Sequence, residues 1–157
     1  MSLDNLKIVP MQAQDVDAVC KIEIRSFPYP WKKKQFEEEI NLAHAHNFVA
    51  TVDDEGEGRI IGYVCCWLVA DEIHILNLAT HPDCRRMGVA TTLLTFALLF
   101  AQSKNVALAT LEVRRFNTPA YRLYQKIGFE TKGIRKGYYP AGEDAVVMAL
   151  EVGGKTS

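Results

Sequence analysis

Residues 73–94, IHILNLATHPDCRRMGVATTLL, constrain the fold more than any other stretch of this chain. The apolar run over 73–80 reads as a buried strand, a short polar turn follows, and a helix opens at about Val89. The turn holds Arg85, Arg86, Met87, Gly88, Val89 and Ala90. The first backbone N–H groups of a helix have no intrahelical partner, and the helix dipole adds partial positive charge there. Gly88 has no Cβ, so an anion can come close to the backbone. On these residues alone the turn suits a phosphate or pyrophosphate. It equally suits an ordinary strand–turn–helix joint with solvated arginines.

The flanking sequence completes a mixed α/β pattern. Residues 7–10 suggest a short first strand. Val16, Val19, Cys20 and Phe27 fit a helical period over 14–27. Phe27-Pro28-Tyr29-Pro30-Trp31 breaks that helix, because residues before proline disfavour the helical region. A second helix is expected over 32–41, with Phe36 and Ile40 four apart. Taken one residue at a time, Phe27, Tyr29 and Trp31 read first as core; the alternative is the wall of a groove, since such loops often carry function. Strands are expected at 44–52, 60–69 and 72–80, with a polar hairpin turn over 53–58. His44 and His46 would then share a strand face, which is too few ligands for a metal. Val89, Leu93, Ala97 and Ala101 give the long helix a core stripe, ending near Asn105. A strand over 107–113 follows. Asn117-Thr118-Pro119 is a strong helix start and Gly128 the expected stop. Strands over 129–138 and 144–151 close the chain. The pattern predicts helices packed on a largely antiparallel sheet, in one domain over 1–152 with a loose tail over 153–157.

Composition excludes several classes. Hydrophobic residues make up 48% of the 157 and charged residues 24%, with a net charge of -1. The chain thus lacks the basic footprint of a nucleic-acid binder. No apolar run is long enough to span a membrane, and the N-terminus lacks the pattern of a signal peptide. Four cysteines without a C-x-x-C pair suggest reduced thiols and a cytoplasmic setting.

These residues carry a family resemblance. Arg85-x-x-Gly88-x-Ala90 is similar to the coenzyme A signature of the GNAT acetyltransferases. The set Leu111-Glu112-Val113-Arg114, Asn117, Ala120, Leu123-Tyr124, Gly128-Phe129, Tyr138-Tyr139-Pro140, Gly142-Glu143-Asp144-Ala145 and Met148 resembles the RimI-type ribosomal-protein-alanine N-acetyltransferases and related N-terminal acetyltransferases. The aromatic loop over 27–31 resembles their early Phe/Pro/Trp loop. The resemblance implies the GNAT fold, an α/β (α+β) arrangement with a mixed, mostly antiparallel central sheet and helices on both faces. It implies acetyl-CoA as cosubstrate, bound where two central strands splay apart, and no metal. Backbone groups of Leu78, Ala79 and Thr80 would meet the thioester arm. Residues 85–91, Arg85 through Thr91 and including Met87, would cradle the pyrophosphate, and Asn117 would touch the coenzyme arm. Glu112 would be the general base and Tyr124 the general acid. Phe27, Tyr29, Trp31, Tyr138 and Tyr139 would flank the acceptor, a protein or peptide N-terminus with a ribosomal protein expected. No nucleic acid or membrane partner is implied, and the expected state is a monomer or weak homodimer.

Direct attack by an amine needs no enzyme nucleophile, so Cys84 beside the turn is expected to be incidental. Glu112, near ~4.3, is a weak base unless burial raises it or water relays the proton. Proton donation from a tyrosine near ~10 to a thiolate near ~8.5 is uphill by roughly 2 kcal/mol unless hydrogen bonds favour the phenolate. From the residues alone, Glu112 also fits a strand-edge ion pair near Arg114, and Tyr124 a core tyrosine. Acetylation of a lysine or a small amine, and a non-catalytic acyl-CoA-binding role, are the competing readings.

Overall fold

The computed structural model describes residue 3 and residues 5–153. Apart from Gly153, the expected tail lies outside the described residues. Seven strands form one sheet: β1 (Lys7–Pro10), β2 (Ala45–Asp54), β3 (Glu57–Val69), β4 (Glu72–Thr80), β5 (Leu108–Arg114), β6 (Glu130–Arg135) and β7 (Ala145–Glu151), in the order β1-β2-β3-β4-β5-β7-β6. All neighbours are antiparallel except β4 and β5. A parallel pair requires a crossover, which here is the helix α3 (Val89–Ser103).

Helices cover both faces. Along β3, Val64 and Cys66 point into a core shared with α3 and α4 (Thr118–Ile127), while Tyr63 and Cys65 point into a second core with α1 (Val16–Ser26) and α2 (Lys33–Glu39). The stripe Val89, Leu93, Ala97 and Ala101 is buried as its spacing requires. Each fully buried leucine of such a stripe stabilises the fold by about 1.5–3 kcal/mol.

The feature that positions the site lies between β4 and β5. Their ladder covers only Glu72↔Leu108 to Ile75↔Leu111. On the other edge of β4, Cys65 opposes Asn77 and Cys66 opposes Ile75, so Leu76 is the extra residue of a bulge. Beyond Ile75, β4 therefore has β3 on one side and a widening gap on the other. Gly62 brings α3 close to that gap. A Cβ there would lie 2.9 Å from Leu93 Cδ1 and 3.0 Å from both Ala79 O and Val89 Cγ1.

Several sequence expectations need correction. The hairpin turn is not 53–58 but two residues, Glu55 (φ 53°) and Gly56 (φ 86°). Two left-handed residues match the twist of the strands, so the strands run on to the turn. The strand expected over 129–138 stops at Arg135. There Gly137 takes a φ of 61° and its N–H donates to Asp144 Oδ1 at 2.9 Å, folding the Tyr138-Tyr139 segment back over the sheet. The two histidines do not share a face. His44 precedes β2 and packs on Trp67, whose Nε1 donates to Glu39 of α2, whereas His46 packs on Phe100 of α3. The helices are shorter than their apolar patterns: a 3-10 turn (Ala13–Asp15) precedes α1, α2 stops at Glu39, and α3 stops at Ser103.

Candidate active site

Two connected openings meet where β4 leaves β5. The larger is a groove of about 620 Å³ over the N-terminus of α3. Leu78, Ala79 and Thr80 form its strand side, and Arg85, Arg86, Gly88, Val89, Ala90 and Thr91 its turn side. Gly88 is the N-cap of α3 with φ 81°, and no side chain caps that helix. Its first N–H groups are thus presented to the groove with the positive end of the dipole behind them. Gly88 is required by its left-handed backbone rather than by crowding, since a Cβ there would meet nothing within 4 Å. This donor set suits the phosphates of a coenzyme A.

One of the seven turn residues is absent from the groove's lining, and another, Arg85, lines it while also reaching α1. Met87 is 40% exposed and does not line the groove, because the left-handed Arg86 (φ 63°) and Gly88 on either side turn the chain around it. Arg85 reaches back to the end of α1, with Nη2 3.4 Å from Ser26 Oγ and 3.5 Å from Arg25 O. Arg25 and Ser26, which the pattern did not single out, line the same groove.

The second opening is a cavity of about 170 Å³. Phe27, Tyr29 and Trp31 wall it, Tyr139 faces them, and Glu112, Glu23 and Asn77 complete the polar part. Phe27, Leu78, Asn117, Ala120 and Tyr124 line both openings, so these residues mark their junction. Asn117 caps α4, its Oδ1 accepting the Ala120 N–H at 3.3 Å.

Glu112 projects from β5 with its side chain 10% exposed. Its Oε1 accepts from His74 Nε2 at 3.1 Å and from the Tyr138 hydroxyl at 3.2 Å. The bond from His74 is the main reason the carboxyl is held below its ordinary range. Burial pushes the other way and is outweighed. Of the two routes open to a weak carboxylate base, a raised pKa or a water relay, the surroundings of Glu112 do not supply the first. Nor does Glu112 pair near Arg114, whose Nε lies 3.3 Å from Glu143 Oε1. Tyr124 is 9% exposed, and burial alone pushes its phenol up to about 12. No hydrogen bond favouring its phenolate forms among the described residues. Tyr138 and Tyr139 stack edge to face at 5.0 Å. Cys84 is buried, and burial raises its thiol, which lowers the fraction present as the nucleophilic thiolate. Among the described residues no group of three or more His, Cys, Asp or Glu is arranged to hold a metal.

The sequence pattern missed His74, Asn77 and Glu23. Glu23 left a trace: it occupies the apolar face of α1 at the spacing of Val16, Val19 and Phe27. His74 left none, since its partner stands 38 residues away on another strand.

A parallel strand pair that splays beside a bulge, with an uncapped helix end at the gap, is the arrangement that the resemblance to the acetyltransferases implies. Residues 16–129 match the Acetyltransferase (GNAT) family, and the chain belongs to that family of acetyltransferases, which use acetyl-CoA. Among its relatives is a Bacillus subtilis protein provisionally named ribosomal protein bS18-alanine N-acetyltransferase, 39% identical over 90% of this chain and 93% of its own length. The crystal structure of the ribosomal-protein-S18-alanine N-acetyltransferase of Escherichia coli superposes with a TM-score of 0.85 at 32% identity, covering 97% of this chain and 98% of that one. Ard1 of Thermoplasma volcanium follows with a TM-score of 0.82 at 26% identity, over 94% and 97% of the two chains. The expected GNAT fold and RimI-like relationship are thus borne out. No helix among the described residues is long and apolar enough to cross a membrane.

Proposed function

We propose that this protein acetylates the N-terminal α-amine of a protein, with a ribosomal protein as the acceptor, in the cytoplasm. Relatives named for that reaction at 32–39% identity over most of the chain support the acceptor class. The observation that carries the choice of amine is the pair of donors on Glu112 Oε1, His74 Nε2 at 3.1 Å and the Tyr138 hydroxyl at 3.2 Å, which favour its ionised form. A carboxylate held below its ordinary range is too weak to strip a lysine ammonium near ~10.4, but is adequate beside an α-amine near ~7.7–8.0 that is partly neutral already.

In this reading the groove over α3 holds the coenzyme. Backbone groups of residues 78–80 face its arm, the α3 N-terminus with Arg86 and Gly88–Thr91 meets the phosphates, and Asn117 closes the junction. Arg85 contributes by fixing the turn to α1. Acetyl-CoA supplies the acetyl group activated as a thioester. Phe27, Tyr29, Trp31, Tyr138 and Tyr139 hold the first residues of the acceptor in an aromatic pocket. Glu112, directly or through water, takes the proton that the amine nitrogen loses as its bond to the acetyl carbon forms. Tyr124, on the opposite wall at the junction, gives a proton to the sulfur as the carbon–sulfur bond breaks.

The test uses a peptide that begins with alanine and carries an internal lysine, together with a copy blocked at its N-terminus. Mass spectrometry should locate one acetyl group on the first peptide's α-amine and none on the blocked copy. Comparable acetylation of the blocked peptide on its lysine would overturn the choice of amine.

A further inference from the structure

Glu23 lies on α1, is 1% exposed, and lines the acceptor-side cavity. Its Oε2 accepts the Trp31 N–H at 2.9 Å. Its Oε1 accepts the Tyr63 hydroxyl and Asn77 Nδ2, the latter at 3.1 Å, and the same Nδ2 lies 3.3 Å from Oε2. One carboxyl group therefore joins α1 to three other places: the aromatic loop, β3 and β4.

Stability does not explain this residue. A buried carboxylate is disfavoured by desolvation, and burial raises Glu23 in spite of its donors. A leucine would continue the apolar face of α1 without that penalty. What leucine lacks is an acceptor. The loop over 27–31 contains Pro28 and Pro30, which have no N–H. The Phe27 N–H is already used in closing α1, donating to Glu23 O at 3.1 Å. Trp31 N–H is the donor through which the far end of this loop is held. At the other side of the network, Asn77 is the next residue after the bulge at Leu76, in the part of β4 that has left β5.

We propose that Glu23 is a positioning residue for the acceptor, tying the aromatic loop to the free part of β4 and so fixing the width of the cavity between them. The proposal rests on the acetyl-transfer reading above. Glu23 touches neither reacting group. It sets where Trp31 stands relative to the strand that presents the acetyl group, so its loss falls on acceptor binding rather than on coenzyme binding.

Three variants test this. Glu23→Leu removes every acceptor oxygen. Glu23→Gln keeps one oxygen for Trp31 N–H, while its amide donates to the Tyr63 oxygen. Asn77→Ala cuts only the link to β4. For an alanine-terminated peptide, Glu23→Leu should raise KM at least tenfold, leave kcat at saturating peptide within threefold, and leave the acetyl-CoA Kd within twofold. Glu23→Gln should rescue KM to within threefold of the wild type, and Asn77→Ala should fall between the two. Amide exchange at Trp31 should quicken in Glu23→Leu and stay slow in Glu23→Gln. An unchanged KM in Glu23→Leu, or parallel losses in KM and acetyl-CoA Kd, would overturn the proposal. If Glu23→Leu fails to fold, an unchanged KM in Asn77→Ala does the same. A wild type that transfers nothing to the peptide would overturn the acetyl-transfer reading instead, and Trp31 exchange would still decide whether Glu23 anchors the loop.

Discussion

Replacing Tyr124 by phenylalanine separates catalysis from folding. The ring is buried at the junction of the two openings and packs edge to face on Phe129 at 5.9 Å. Phenylalanine keeps that contact and removes only the hydroxyl. Because this hydroxyl makes no hydrogen bond among the described residues, its removal forfeits none and relieves a burial cost of up to about 1–3 kcal/mol. The melting temperature should therefore hold or rise, and acetyl-CoA affinity should stay within about threefold. Turnover should fall. A phenol near about 12 giving its proton to a thiolate near ~8.5 works uphill by roughly 5 kcal/mol. The same poorly solvated junction disfavours the thiolate, which narrows that gap. Positioned proton transfer contributes about 10²–10⁴-fold, or about 3–5 kcal/mol of barrier. Thiol release measured spectrophotometrically should show kcat lower by that factor, and calorimetry should show the preserved affinity. A kcat within threefold of the wild type in a folded variant would refute the assignment of Tyr124 as the acid.

Two further perturbations address the other parts of the site. Gly88→Asp forces an L-residue into a φ of 81°, at about 1–2 kcal/mol, and sets a carboxylate against the coenzyme phosphates. Acetyl-CoA affinity should drop at least tenfold, and near-native affinity in a folded variant would remove the phosphates from the α3 N-terminus. His74→Leu removes the main donor that keeps Glu112 low. Glu112 works ionised, so the acid limb of kcat/KM should move to higher pH, and superimposable limbs would show that His74 does not tune it. The stability linkage has the same origin. A carboxyl with a depressed folded pKa stabilises the fold above its unfolded value near ~4.3, and this is lost as pH falls through the depressed value. His74→Leu should accordingly lose more stability relative to wild type at pH 7 than at pH 3.

The sequence made the local half of this architecture legible. Helix α4 announced itself by Asn117, Pro119 and Gly128, which act within one turn of their own positions. The turn before α3 was readable for the same reason: Gly88 satisfies a local backbone need. What the sequence hid depends on elements meeting across long separations. Glu112 and Tyr124 were identified by family pattern, yet the environments that set their acidity were not, because His74 and Tyr138 approach Glu112 from different strands and loops. The direction of the Glu112 shift was open at the level of sequence, because it depends on donors from other strands and loops that outweigh burial. Leu76 illustrates the limit most plainly. Nothing in a run of alternating apolar residues marks which one has no partner, since a bulge is a property of two strands rather than one.

The acceptor cavity holds two carboxyl groups whose surroundings push them in opposite directions. Glu23 meets three neutral donors and is raised by its burial. Glu112 meets His74, Tyr138 and the field of Arg135, and is lowered. When two such groups diverge, their tasks diverge with them. In the proposed reading Glu112, whose neighbours favour the ionised form, is the group that would attract an incoming ammonium. Near pH 7.5 roughly a third of α-amines are already neutral, so reaching the neutral form costs under about 1 kcal/mol, against about 4 kcal/mol for a lysine. A low-lying carboxylate therefore need not deprotonate the ammonium beforehand. It must only accept the proton once the nitrogen has begun to bond to carbon, when that proton becomes strongly acidic. Raising Glu112 would make it a better base for a lysine but a less ionised anchor for the acceptor, so in the proposed reading the His74 contact favours a chain terminus over a lysine.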